Sequence, residues 1–283
     1  MDAEKLLETH ELYDVMLADW IFWGLAYSGG RRFINFSLQK NIRESNKNWR
    51  ARQKEGVCFN YSSIVIDLFN FYLTEKPALR ELGPLVTDNL WTLFKKDADL
   101  YGTNFDVFLN EAQKLAAIYG AVGVLVDKPT SQNQVMKEDI TDGIYPYCAT
   151  FTLPNILDWK HERDPKTNRP KLTYLKLLDY DERYLLWWPD KWEIWKIPET
   201  QNSGGFRIHK HKDTSDYKPK PGENDYADIP GSVTSALNSK EDPTLVASGK
   251  NPLGEIPFVW FQNIKNIEDP YIGESDIKEI SRI

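Results

Sequence analysis

Cysteine and histidine are scarce in this sequence, whose 283 residues contain two cysteines, Cys58 and Cys148, and four histidines. The two cysteines lie far apart and form no Cys-x-x-Cys or other metal-ligand spacing, which predicts reduced core residues of an intracellular protein. The motifs of serine hydrolases, phosphate-binding loops, dinucleotide-binding folds and zinc proteases are also missing. The sequence therefore predicts a protein that is not an enzyme and that uses neither a cofactor nor a metal ion.

Long apolar runs are missing as well. The longest are Trp20–Tyr27 and Ala121–Val126, and both fall short of the roughly 20 residues that a membrane span needs. The first ten residues, MDAEKLLETH, carry acidic side chains where a signal peptide has a basic region and an apolar core. We therefore expect neither a membrane segment nor a recognisable export signal.

The chain has no surplus of basic residues, and its formal net charge is −7. This charge argues against a general nucleic-acid binder but is compatible with a wall past which duplex DNA slides without adhering. The only local positive feature is the segment from Arg31 to Lys54. As a helix it would spread its charge around all sides, which favours a solvated or salt-bridging role between subunits over DNA readout.

Aromatic residues are plentiful, with 10 Trp, 14 Tyr and 13 Phe, and they supply material for a packed core. The first 120 residues predict helices over Asp14–Tyr27, which Ser28-Gly29-Gly30 ends, and over Tyr61–Leu73 before Pro77. A helix with one apolar face is predicted over Asn104–Tyr119, with Gly120 as a left-handed cap. The run Ala121–Val126 then predicts a buried strand.

Beyond Asp127 the pattern is typical of an antiparallel β meander. The predicted strands are Tyr145–Thr152, Ile156–Glu162, Leu172–Tyr180, Tyr184–Trp188 and Trp192–Ile197, with one more near Phe206–Lys212. Residues 213–254 predict a long, polar and mobile loop. A strand over Ile256–Phe261 and a helix from Asp276, capped by Ser275, follow.

These patterns predict an α+β fold in which N-terminal helices pack on the meander. Residues 1–127 form a mainly helical part that ends in the buried strand, and residues 128–263 form a β-rich part. Residues 264–283 begin a further helix, with Ile277, Ile280 and Ile283 on one side. We expect the sequence to interrupt that helix after about two turns.

Three groups of residues could carry chemistry, and each also has a structural interpretation. His209 and His211, with Asp213, could hold a divalent metal on one face of a strand, although a polar surface hairpin is commoner. Asp97, Asp99, Asp106 and Asp127 fit turns and helix caps as well as they fit a carboxylate site. The tryptophans could stack on a sugar, but core or oligomer packing is favoured; they are Trp187, Trp188, Trp192 and Trp195. Because Trp187 and Trp188 alternate along a strand, we expect one of them to be partly exposed.

Four segments, taken in order, resemble the portal proteins of tailed bacteriophages. The first is His10–Asp14 followed by Trp20 and Gly29–Phe33, and the second is Asp99–Phe108 leading to Tyr119-Gly120 and Val124–Pro129. The third is Tyr145–Tyr147 with Leu153–Trp159, and the fourth is Ile256–Phe261 with Gly273–Ile277. Their order along nearly the whole chain carries the resemblance.

The resemblance implies a portal wing that is truncated at the start of a stem helix. The intact family member forms a dodecameric ring at the capsid vertex of the virion and is assembled in the host cytoplasm. It conducts duplex DNA without sequence specificity, and its partners are the terminase large subunit, the capsid and scaffold, and the head-completion proteins. Because stem, clip and crown are not in this sequence, we expect this part alone to be monomeric. The alternatives are a carbohydrate- or receptor-binding module on the Trp-rich meander and a hydrolase with scattered carboxylates.

Overall fold

The structure, a computed structural model, describes residues 3–76, 78–81, 83, 88–129, 131, 135–179, 183–197, 242–266 and 271–280. The fold is α+β, as predicted. The helices are α1 (Ala3–Leu7), α2 (Glu11–Ser28), α3 (Gly30–Ser37), α4 (Asn46–Glu55), α5 (Tyr61–Thr74), α6 (Asn89–Lys96), α7 (Phe105–Tyr119), α8 (Met136–Thr141) and α9 (Ile277–Ile280). The strands are β1 (Ala121–Asp127), β2 (Tyr147–Thr152), β3 (Ile156–Arg163), β4 (Pro170–Leu178), β5 (Arg183–Trp187), β6 (Lys191–Lys196), β7 (Thr244–Lys250) and β8 (Phe258–Gln262).

The chain divides into two compact units, each built from several stretches of sequence. Unit 1 comprises Met1–Phe22, Gly30–Val57 and Pro154–Ile256, and unit 2 comprises Trp23–Gly29, Cys58–Leu153 and Pro257–Ile283. The three ranges predicted above follow chain order, whereas both of these units combine helices with strands.

Unit 1 contains an antiparallel sheet of order β3-β4-β5-β6-β7 with helices packed on it. Leu6 of α1 and Tyr13 and Trp20 of α2 are almost completely buried, and burying a side chain of this size stabilises a fold by about 1.5–3 kcal/mol. The hydroxyl of Tyr13 donates a hydrogen bond to the carbonyl of Pro154, just before β3 (2.9 Å). The predicted packing of N-terminal helices on a meander is confirmed.

Unit 2 contains an antiparallel sheet of order β2-β1-β8, with α7 leading directly into the central strand. The side chain of Asn104 caps α7 by accepting a hydrogen bond from the amide of Val107 (3.0 Å). Gly120 ends the helix with φ +90°, as predicted, and its amide donates to the carbonyl of Ala116. The apolar face of α7 packs on the sheet in two small clusters, one around Ala112 and one around Phe108.

Three expectations are wrong in detail. The strand predicted from Tyr145 belongs to the other sheet, because Pro154 and a 3-10 turn over Leu153–Asn155 separate β2 from the meander. The long loop predicted over 213–254 ends early, since Thr244–Lys250 forms β7. This edge strand forms its backbone hydrogen bonds with β6, and most of its side chains are exposed. Because it lacks the apolar pattern of a buried strand, the sequence did not predict it.

The third correction concerns the basic segment, which is two helices, α3 and α4, joined by an irregular stretch from Leu38 to Ser45. Ser45 caps α4 by accepting a hydrogen bond from the amide of Asn48 (3.2 Å). The strand predicted over Phe206–Lys212, residues 213–241 of the predicted loop, and the side chains of Ile280 and Ile283 lie outside the described residues. Within the described ranges, no helix combines the length and the hydropathy that a bilayer crossing needs.

Candidate functional site

The histidine pair proposed as a metal site, His209 and His211 with Asp213, lies outside the described residues. In the part of the chain that the structure does describe, no three or more His, Cys, Asp or Glu side chains form a group able to hold a metal ion.

Two of the four aspartates organise the loop before α7. The carboxylate of Asp97 accepts hydrogen bonds from the amide of Gly102 (2.9 Å) and from the hydroxyl of Tyr145 (2.8 Å). Asp99 accepts from the amides of Tyr101 (2.9 Å) and Thr103 (3.2 Å). Burial acts to raise the pKa of Asp97, but the bonds from Tyr145 and Gly102 outweigh it and lower the pKa overall. These carboxylates therefore have a structural role in a tight turn.

The other two aspartates have partners of their own. Asp106, in the first turn of α7, forms an ion pair with Arg80 (2.6 Å). Asp127, at the end of β1, accepts hydrogen bonds from the amide of Lys128 (2.7 Å) and the hydroxyl of Tyr147 (3.3 Å), and burial raises its pKa. These two carboxylates thus lie at the first turn of a helix and at the end of a strand, as the structural interpretation of the sequence predicts.

The tryptophans of the meander divide between the interior and the surface. Trp187 is buried and lies beside Trp192 of the neighbouring strand, with their ring centroids 6.2 Å apart. Trp192 in turn covers Gly249 of β7, where a β-carbon would lie 2.7 Å from the indole. Trp188 is partly exposed, so the expectation that one of the adjacent tryptophans would be partly exposed is confirmed.

Trp188 is part of an aromatic pair between two lysines. Its ring lies 5.4 Å from that of Tyr174 on β4, measured between centroids. The ammonium of Lys191 lies 4.4 Å from the Trp188 centroid, and that of Lys160 lies 5.8 Å from the Tyr174 centroid. Such contacts are attractive because the face of an aromatic ring carries a partial negative charge. They also cover one face of each ring with a cation from the same chain.

The basic segment uses part of its charge within unit 1. The guanidinium of Arg52 binds Glu44 through two hydrogen bonds (3.0 and 2.7 Å), which is the strong, bidentate geometry. Arg31 of α3 donates to the carbonyl of Gln53 in α4 (2.6 Å) and also binds the carbonyl of Lys54. Arg31 therefore links α3 to α4, and Arg52 links α4 to the stretch that precedes it. The sequence suggested a solvated role or salt bridges between subunits, whereas these contacts lie within one chain.

Two of the segments that carry the portal resemblance contact one another in unit 1. The imidazole of His10 stacks on Trp159, with a centroid separation of 4.1 Å and ring planes 10° apart. The amide of His10 donates to the carbonyl of Leu157 (2.9 Å), close to the contact between Tyr13 and Pro154. The first segment is therefore bound directly to the second half of the third.

The second and fourth segments contact one another in unit 2. The backbones of Gly120 and Gly273 approach so closely that a β-carbon on either residue would overlap the carbonyl of the other. The hydroxyl of Ser275 lies within donating distance of the carbonyls of Ala117 (3.2 Å) and Ile118, and it accepts from the amide of Ile277 (3.1 Å). The beginning of α9 is thus fixed on the end of α7.

The burial of one lysine, Lys176, was not predicted from the sequence. Lys176 of β4 is only 1% exposed, and its ammonium donates hydrogen bonds to the carbonyls of Lys5 (3.0 Å), Leu6 (3.3 Å) and Glu8 (2.6 Å). Burial lowers its pKa, while Asp158 and Glu8 act in the opposite direction. Lys176 closes the carbonyl end of α1, where a positive charge is favourable. Its position between the buried Leu175 and Leu177 was the available signal.

An exposed apolar surface of unit 2 was also not predicted from the sequence, which indicated only an apolar helix over Tyr61–Leu73. Ile66 and Asn70 of α5 are buried, and Asn70 contacts Asn110 of α7, but most of the other side chains are exposed. The exposed apolar residues of α5 are Tyr61, Ile64, Val65, Leu68, Phe69, Phe71, Tyr72 and Leu73. A helix that is apolar on all sides is normally buried on all sides. The apolar residues around α5 therefore indicated that this helix has a further packing partner.

No protein-family model matches the chain, and a search of curated proteins finds no significant match.

Proposed function

We propose that this chain is the wing part of a portal protein, a structural subunit of the ring at the DNA-packaging vertex of a tailed-bacteriophage capsid. One observation carries the proposal: the segments that resemble portal proteins contact one another in pairs. His10 and Tyr13 meet Trp159 and Pro154, and Gly120 meets Gly273. Chance similarities along a sequence have no reason to meet in space, whereas the defining segments of a fold do.

The chemistry of the described residues is compatible with a structural role. The aspartates considered for catalysis are engaged in turns, caps and an ion pair. The net charge of −7 favours a surface along which duplex DNA moves without forming the phosphate contacts that dominate nucleic-acid affinity. In the proposed assembly the chain is part of a ring, and the packaging terminase, capsid, scaffold and head-completion proteins are its partners.

The rival function, carbohydrate binding on the Trp-rich meander, depends on Tyr174 and Trp188. A sugar stacks on an open aromatic face, but Lys160 and Lys191 already lie over these two rings. Lys191 is held there by Glu193, whose carboxylate is 2.8 Å from the ammonium. A sugar would have to displace the lysines, and this makes the rival the weaker proposal.

The direct test is the assembly state of the natural gene product, purified at its native length and imaged by negative-stain electron microscopy. We expect ring-shaped particles with an axial channel and a native mass that corresponds to about a dozen copies. The same preparation should show no tight binding to duplex DNA at physiological salt. Particles of only one or two copies at every concentration would contradict the proposal.

Turnover assays and a glycan array separate the rivals. We expect no hydrolysis of nucleotides, sugars or peptides. A sugar bound on the array and lost in Trp188→Ala, but retained in the exposed control Lys250→Ala, would favour the carbohydrate module. A hydrolytic activity abolished by substitution of one carboxylate or histidine would favour an enzyme.

A further inference from the structure

We propose that α5 is a self-association surface, which pairs antiparallel with α5 of a second copy of this chain about a two-fold axis. The surface consists of the eight exposed apolar residues of α5 named above. It is independent of the proposed portal function, because a two-fold contact closes on itself and does not build a ring.

The orientation of α5 directs this surface away from its own unit. Asn70 faces α7 through Asn110, and Asp67, the only charged residue of α5, binds Tyr27 (2.8 Å) and Lys114 (3.5 Å). With 3.6 residues per turn, the opposite side of the helix carries Tyr61, Val65, Leu68 and Tyr72. All four are exposed, and no charged side chain interrupts them.

The exposed residues have a symmetric spacing along the helix. Aromatic residues Tyr61 and Tyr72 lie at the two ends, and the aliphatic pair Val65 and Leu68 lies in the middle. In an antiparallel pair centred between Val65 and Leu68, each tyrosine faces the tyrosine of the other end, and Val65 faces Leu68 of the second copy. A two-fold interface needs this kind of self-complementary patch, whereas a head-to-tail contact needs two different patches.

The size of the surface is appropriate for a stable contact. With Tyr61 68%, Leu68 52% and Tyr72 65% exposed, the four symmetric residues present roughly 500 Å² of surface, and all eight exposed apolar residues of α5 present about 1,000 Å², against the roughly 800 Å² that each partner gives to a standard interface. Isolated monomers rarely expose a contiguous apolar patch larger than a few hundred Å². Aromatic residues also dominate the binding energy of interfaces. Area and composition therefore both favour a protein partner.

The first experiment measures the mass of the full chain by native mass spectrometry and by light scattering over a concentration series. We expect a dimer in the wild type, in contrast to the monomer that the portal resemblance implies for this part alone. In Leu68→Glu the dissociation constant should rise by about a hundredfold or more, because the new charge is desolvated without a partner at the centre of the interface. The matched control is Val15→Glu, an exposed valine on α2, which should leave the dimer intact. Circular dichroism checks that both variants are folded.

The second experiment tests the antiparallel register by disulfide trapping in a Cys58→Ser background. Tyr61→Cys and Tyr72→Cys chains, mixed and mildly oxidised, should form a mixed disulfide dimer. Neither variant alone should do so, because the two copies of one position are roughly 16 Å apart along the axis, beyond the reach of a disulfide.

Each contrary result overturns the proposal. A wild-type monomer at all concentrations assigns the apolar face to another segment of the same chain. Vesicle binding that disappears in Leu68→Glu assigns it to a lipid surface. A dimer that survives Leu68→Glu uses a different face, and efficient trapping of Tyr72→Cys with itself excludes the antiparallel register.

Discussion

Gly120 and Gly273 lie in direct backbone contact, where the strand after α7 begins and the chain approaches α9. Gly120 has φ +90°, which favours glycine, and a β-carbon there would also overlap the carbonyl of Gly273. Two independent constraints, one on the backbone angle and one on the space, therefore act on the same residue.

Gly120→Ala should lower the free energy of unfolding by about 3 kcal/mol or more, because both constraints are violated. Gly102→Ala is the matched control, since Gly102 has φ +87° but no atom within 4 Å of its β-carbon position. It should cost only about 1 kcal/mol. Denaturant titrations of both variants measure the difference. Equal losses would show that the contact with Gly273 contributes nothing.

Ser275→Ala should destabilise the protein by about 1–2 kcal/mol, because it removes the hydroxyl that links the end of α7 to the beginning of α9. Ser275 is buried, so the carbonyl that loses its donor is not accessible to water. Chemical denaturation gives the loss, and hydrogen exchange should locate it at the amide of Ile277. Ser275→Thr keeps the hydroxyl and serves as the control. Unchanged exchange at Ile277 would contradict the assignment.

Lys176→Met should cost about 2–4 kcal/mol, since it leaves the carbonyls at the end of α1 without a donor in a buried site. Lys160→Met, at an exposed position on the adjacent strand β3, should cost less than about 1 kcal/mol. Limited proteolysis offers a second measurement. Cleavage near Lys5 should become faster in Lys176→Met and stay slow in Lys160→Met. If both variants are equally stable, the ammonium of Lys176 does not hold α1.

The two cysteines should differ in reactivity. Burial raises the pKa of Cys148 to about 11 from 9.0, so at pH 8 its thiol stays protonated and unreactive, whereas Cys58 is partly exposed. Iodoacetamide at pH 8 should modify Cys58 first, and peptide mass spectrometry shows which site reacts. Comparable rates at pH 8 would contradict the burial of Cys148.

The same shift links Cys148 to stability. Because the pKa of Cys148 is higher in the folded state, the protonated thiol contributes fully to the free energy of unfolding below pH 9. That contribution is lost as the pH rises towards 11. Cys148→Ala should remove this part of the alkaline decline in unfolding free energy. A decline that is identical in the variant would show that Cys148 titrates normally in the folded protein.

The sequence predicted elements whose signals are local. The apolar period of α7 and the glycine after it were sufficient for the helix and for the left-handed cap at Gly120, because helix formation and termination depend on neighbours in sequence. The strands β3 to β6 were found from their turn residues for the same reason.

Features that depend on distant residues were not predictable in this way. The assignment of β2 to the sheet of β1 depends on pairing with residues far along the chain, and β7 depends on the free edge of β6. The apolar pattern of α5 predicts that other parts of the protein bury this helix. It does not predict that the rest of unit 2 leaves one side of the helix exposed. Lys176 is buried only because the carbonyls of α1 surround its ammonium.

The position of β1 between β2 and β8 has a consequence for synthesis of the chain on the ribosome. One edge of β1 pairs with residues 147–152, which are translated soon after it, but the other edge pairs with residues 258–262. Until those residues leave the ribosome, an apolar strand keeps one row of unsatisfied amides and carbonyls, the kind of edge that templates aggregation. Unit 2 therefore completes its sheet late, and slower translation of residues 160–255 would prolong the time for which a chaperone has to protect β1.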